Sequence, residues 1–163
     1  MHKQKGFSLI ELLIVVAIIL IIAAIAIPNL LRARIAANEA SAVASVRTLN
    51  TAQISYNSAF PTVGFSSSLT SLAGTCTGTN APTSTSACLI DNTLGGAATT
   101  STKSGYTFTL SGVSGTPAAT YQFSATPVGY NQTGVRYFCS VADAVVRVTT
   151  AATGCAGTET PLQ

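Results

Sequence analysis

Hydrophobic and polar positions divide this chain into three unlike stretches. From Leu12 to Leu31 only Pro28 and Asn29 fall outside the aliphatic set. Such a run is uniformly apolar and predicts a helix with no polar face; about 20 residues at 1.5 Å rise span about 30 Å, the thickness of a bilayer's hydrocarbon. After Pro28 the pattern becomes striped. Leu31, Ile35, Ala42, Val46 and Leu49 recur at helical spacing, with Arg34, Asn38, Ser41 and Arg47 between them. Frequent alanine favours helix, so the helix is extended to about Tyr56, ending before Pro61. Arg32, Arg34, Glu39 and Arg47 are expected on its outer face, either solvated or bridging to a neighbouring subunit.

The pattern then loses its apolar content. Nineteen of the 43 residues from Thr62 to Ser104 are Ser or Thr, with Pro82 and Gly95-Gly96 as breakers. This stretch has little to bury and reads as a long surface loop with a short helix near Ser67–Leu72. Strand periodicity follows: Tyr106–Leu110 and Tyr121–Ala125 alternate, and Val135–Val141 and Val145–Thr149 flank Ala142-Asp143-Ala144 as a hairpin. The expected fold is α+β: a long N-terminal helical stem kinked at Pro28, packed on a roughly four-stranded antiparallel sheet with a disulfide-closed C-terminal loop. Tyr106, Phe108, Tyr121, Phe123, Tyr137 and Phe138 are read as core and hairpin pairs.

Composition narrows the function classes. Charged residues make up 8% of the chain, against roughly 25% in soluble domains. The formal charge is +3; Lys3 and Lys5 precede the apolar run, and without them six Arg/Lys face five Asp/Glu, a net of +1. That charge leaves a nucleic-acid partner an open question. The single histidine is His2. With no other imidazole, no paired carboxylates at useful spacing and no glycine-rich phosphate loop, an enzyme is not expected. No cofactor is expected either. Asp91, Asp143 and Glu159 are too scattered for calcium, which wants 6–8 oxygen ligands, and no metal site is assigned.

Cys76, Cys88, Cys139 and Cys155 all follow the apolar run, and an even count behind an export-type N-terminus reads as two disulfides. Of the three connectivities, Cys76–Cys88 with Cys139–Cys155 is favoured because each closes a short loop. Asn131-Gln132-Thr133 matches the N-glycosylation pattern, a short and frequent one.

Three readings of the N-terminus compete: a secretory signal with the small-residue site Ala24-Ile25-Ala26, a plain membrane anchor, or a leader cut after Gly6. Glu11 decides. A carboxylate at the head of a membrane segment is expensive, and a signal or anchor has no use for it. Cleavage between Gly6 and Phe7 creates an α-amine on Phe7 one helical turn away. In a stack of such helices, Glu11 of one subunit can meet the Phe7 amine of the next, which sets axial register.

Gly6-Phe7-Ser8-Leu9-Ile10-Glu11 resembles the type IV prepilin signature, and the likeness continues through Leu12–Arg34, with Pro28 at the position where that family kinks its helix. The resemblance implies cleavage after Gly6, N-methylation of Phe7 by a prepilin peptidase, an inner-membrane assembly platform, an exposed loop after the stem, and a C-terminal disulfide loop. Residues 1–6 would be the leader, 7–31 the membrane and filament-core helix, 32–58 its amphipathic continuation, 59–104 the exposed loop, and 105–163 the sheet and disulfide region. The chain would sit in the bacterial inner membrane before assembly and in an extracellular homopolymer after it. Two departures stand out. Val15–Ile27 lacks the mid-helix glycine of many pilins, and Ala144-Val145 stands where a glycine usually follows the turn aspartate. A pseudopilin of a type II secretion system is the alternative. The stem has no aromatic residue between Phe7 and Tyr56, so its core is not expected to form an aromatic wire.

Overall fold

The structure, a computed structural model, describes residues 7–74, 81–149, 152 and 154–162. The chain divides into two compact units, Met1–Arg34 and Ile35–Gln163. Helix α1 (Leu9–Ala59) begins in the first and ends in the second, and its helical assignment is unbroken at Pro28. In the first unit α1 has no partner among the described residues: Leu9, Ile21 and Leu30 are 77%, 64% and 69% exposed. An Ile/Val-rich run has only modest helix propensity in water. In lipid, where no solvent satisfies backbone N–H and C=O groups, the helix is the form a single segment can take.

In the second unit the end of α1 buries Glu39, Ala42, Val43, Val46, Leu49, Asn50, Gln53 and Tyr56. These positions recur at three and four, so they form one face. The expected stripe is correct at Ala42, Val46 and Leu49, whereas Leu31 is exposed and Ile35 half-buried. Glu39 is a correction: it lies three residues before Ala42, on the buried face, and is 6% exposed.

Among the described residues the sheet is a six-stranded antiparallel meander in the order β1 (Thr100–Lys103), β2 (Tyr106–Gly115), β3 (Ala118–Pro127), β4 (Tyr137–Val141), β5 (Arg147–Thr149) and β6 (Thr160–Pro161). All four expected strands are present. The two additions are edge strands: β1 lies in the Ser/Thr-rich stretch, and the two-residue β6 pairs with β5. Both are too short or too polar to show alternation by themselves. Register pairs Phe108 with Ala125, Leu110 with Phe123, and Ala125 with Phe138. Directly opposed side chains share a face, and these join α1 in one apolar cluster.

The stretch before β1 contributes more to the core than its composition suggests. Helices α2 (Leu69–Leu72) and α3 (Asn92–Gly95) place Leu69, Leu72 and Leu94 in the cluster. Ser68 caps α2 by accepting from the Thr70 N–H, and Asp91 caps α3 by accepting from that of Leu94. A few leucines suffice because each one-turn helix has a single inward side.

Candidate functional site

Phe7, the first described residue, is 72% exposed, and Leu12 N–H donates to the Ser8 carbonyl at 3.2 Å. Glu11 occupies the first turn of α1. A carboxylate there is favoured by the positive end of the helix dipole. α1 contains a window of 18 residues with mean hydropathy 3.3 and no buried member. By length and composition this helix can cross a membrane. Phe7 and Glu11 thus lie at one end of a bare apolar rod. Gly6, on the other side of the expected cleavage, is outside the described residues.

The head holds its own charges. Glu39 accepts from the backbone N–H groups of Val135 (2.9 Å) and Arg136 (3.0 Å) and from Arg136 Nε (2.7 Å). Burial pushes this carboxyl up, but the two N–H groups and the guanidinium outweigh it and hold it below its ordinary value. Asp143 is lowered by its hydrogen bond from Arg147, against burial and with help from the Val145 N–H. Asp91 pairs with Lys103 at 3.2 Å. Glu159 accepts from the N–H groups of Ala156 and Gly157. Asp91, Asp143 and Glu159 are therefore each engaged locally rather than gathered around one point. Cys139, Cys155 and Glu159 do converge, but the two sulfurs are joined to each other, so neither is a thiolate ligand.

The expected Cys139–Cys155 bridge is present, with Cα atoms 5.6 Å apart. Cys88 is also in a disulfide; Cys76 lies outside the described residues. Asn131 is exposed at φ 61°, with its N–H donating to the Gly134 carbonyl at 3.0 Å. Tyr106, Phe108, Tyr121, Phe123 and Phe138 are core residues, as expected, while Tyr137 is half-buried and stacks on exposed Tyr130, centroids 6.2 Å apart.

Sequence reasoning missed a polar seam between α1 and the sheet. Asn50 Nδ2 donates to Ser140 Oγ (2.8 Å) and the Ala144 carbonyl (3.1 Å), and its Oδ1 accepts from the Tyr121 hydroxyl (3.2 Å). Burial, with Asp143 nearby, pushes the Tyr121 phenol up to about 12. Gln53 Nε2 donates to the Ser66 carbonyl, and its Oε1 accepts from the Ser66 N–H. The signal was available: Glu39, Asn50 and Gln53 all stand at stripe positions.

A family model described as the prokaryotic N-terminal methylation motif matches residues 1–27. The chain carries this methylation motif at its N-terminus. It is 67% identical over 39 residues to the type IV wide pilus major component PilA4 of Thermus thermophilus, covering 24% of this chain and 30% of that protein. It is 48% identical over 54 residues to the type IV major pilin protein PilA of Myxococcus xanthus, covering 33% of this chain and 24% of that one. The chain thus matches less than a third of the length of either relative. No solved structure matches it.

Proposed function

We propose that this chain is a structural subunit of a type IV pilus. A prepilin peptidase cuts between Gly6 and Phe7 and methylates the new amine. The subunit waits in the bacterial inner membrane, held by α1, and an inner-membrane assembly platform passes it into an extracellular homopolymer. In this reading residues 7–31 form the filament core, and Glu11 pairs with the Phe7 amine of a neighbouring copy. Pro28 marks the point where α1 can bend. The filament serves adhesion, twitching motility or DNA uptake. The observation that carries the reading is the methylation motif over residues 1–27, which takes in the start of an exposed apolar helix with Glu11 in its first turn. An apolar rod of this length is costly in water, and lipid and other copies of itself are the two environments that cover it.

Two observations favour the pilus over a type II secretion pseudopilin. Both relatives bear the names of major pilus components. The head carboxylates are engaged within the chain rather than clustered for calcium. The deciding experiment is intact mass and N-terminal analysis of protein sheared from the cell surface. Expected is a species starting at N-methylated Phe7, four protons lighter for two disulfides, abundant in long filaments. The same species confined to the cell envelope would point to a pseudopilin, and one starting at Ile27 would overturn the filament reading. Gly6→Leu should block clipping, and Glu11→Ala should spare membrane insertion while impairing assembly.

A further inference from the structure

Charge is distributed unevenly between the chain's two units. In the head, Glu39, Asp91 and Asp143 each pair with a cation of the same chain. On α1, by contrast, Arg32 and Arg34 are exposed, and among the described residues neither takes part in an ion pair. They follow directly on the apolar run that ends at Leu31. If that run fills the hydrocarbon, both guanidiniums reach the far headgroup layer. Two residues apart, they point about 200° from each other around the helix axis. One neighbouring helix cannot face both. A ring of lipids surrounds the helix on every side and can.

We infer that Arg32 and Arg34 form a collar that binds the phosphates of anionic phospholipids in the leaflet away from the leader. The planar guanidinium fork matches phosphate oxygens two at a time. The collar rests on the membrane-held stage of the proposed function and adds a lipid class to it. It also bears on orientation. Lys3 and Lys5 before the run and Arg32 and Arg34 after it nearly balance the usual charge bias. The cationic pair beyond the span is then a lipid contact rather than a topological signal. Leaving the bilayer for a filament breaks that contact, so the collar holds the subunit until it is extracted.

The test uses the full chain, arginine-labelled and reconstituted in phosphatidylglycerol-containing bilayers, and reads carbon-to-phosphorus dipolar dephasing at the guanidinium carbons. Two of the chain's five arginines, Arg32 and Arg34, should dephase, about two-fifths of the arginine signal. That fraction should vanish in R32Q/R34Q and persist in R47Q. Pure phosphatidylcholine should weaken it. Amide exchange on the same samples reports insertion through protection of Leu12–Leu31. A protected helix without dephasing, dephasing that survives R32Q/R34Q, or guanidinium contact with the Glu11 carboxylate of another copy would overturn the collar and leave the membrane stage intact. Equal dephasing in phosphatidylcholine would overturn the anionic preference. An unprotected helix would overturn the collar and the membrane stage together.

Discussion

Arg136 Nε donates to Glu39 Oε2 at 2.7 Å, tying the buried face of α1 to the segment that enters β4. The two partners differ: the Glu39 side chain is 8% exposed and that of Arg136 51%. Much of the Arg136 guanidinium therefore stays hydrated, and water screens the ion pair. The two backbone N–H groups that Glu39 also holds supply the rest of what keeps the carboxylate charged. Loss of the carboxylate would leave both part-buried donors without that acceptor.

Glu39→Ala should destabilise the head by about 1.5–3 kcal/mol, the range for a hydrogen-bonded charged group. The sign with pH follows from the lowered carboxyl. The folded state binds this proton less tightly than the unfolded chain, so the stabilisation is complete above the ordinary value of 4.5 and is lost as pH falls through the lower folded value. Asp91, Asp143 and Glu159 are lowered too and act in the same direction. Thermal unfolding followed from neutral to acid pH should show the melting temperature falling only in the acid range. Glu39→Gln should have a shallower fall than wild type; an identical slope would mean the carboxylate contributes nothing.

Asn50→Ala should cost about 3 kcal/mol, because Ser140, Tyr121 and the Ala144 carbonyl all lose a buried partner at once. Denaturant unfolding measures it. A loss below about 1 kcal/mol, the usual scale of one ordinary hydrogen bond, would show that water replaces the amide.

Ala144 has φ 61°. Its N–H donates to the Val141 carbonyl at 2.9 Å, which closes the turn between β4 and β5. An alanine in the left-handed region carries a cost of about 1–2 kcal/mol that glycine avoids. Ala144→Gly should therefore stabilise the head by about 1 kcal/mol, after the entropy that glycine gains in the unfolded chain. A lowered melting temperature would refute the strain argument.

The Cys139–Cys155 bridge closes a loop with a sequence separation of 16 and should contribute about 3 kcal/mol by loop entropy. Cys139→Ser/Cys155→Ser should lower the denaturant midpoint accordingly and release amide exchange in β6 and the residues before it. Unchanged exchange there would mean that the pairing of β5 with β6 holds the tail without the sulfurs.

The stem was legible in the sequence because its determinants are local. Gly6 to Glu11 and the apolar run lie together in the chain, and a uniformly apolar segment in lipid has one way to satisfy its backbone. Strands β2 to β5 were legible for the same reason: alternation writes the buried face of a half-exposed strand into consecutive residues. What tertiary structure alone decided was the fate of polar groups. A glutamate on a helix looks solvated until the two N–H groups it will accept from are brought to it, and Val135 and Arg136 are nearly a hundred residues away. Asn50 and Gln53 interrupt the stripe in one dimension and complete a seam in three. The left-handed turn at Ala144, where glycine was missing, is held by the Asn50 amide from across the core. Periodicity records which side of an element is buried. It does not record which distant donor will face a buried acceptor, because that depends on the packing of the whole head.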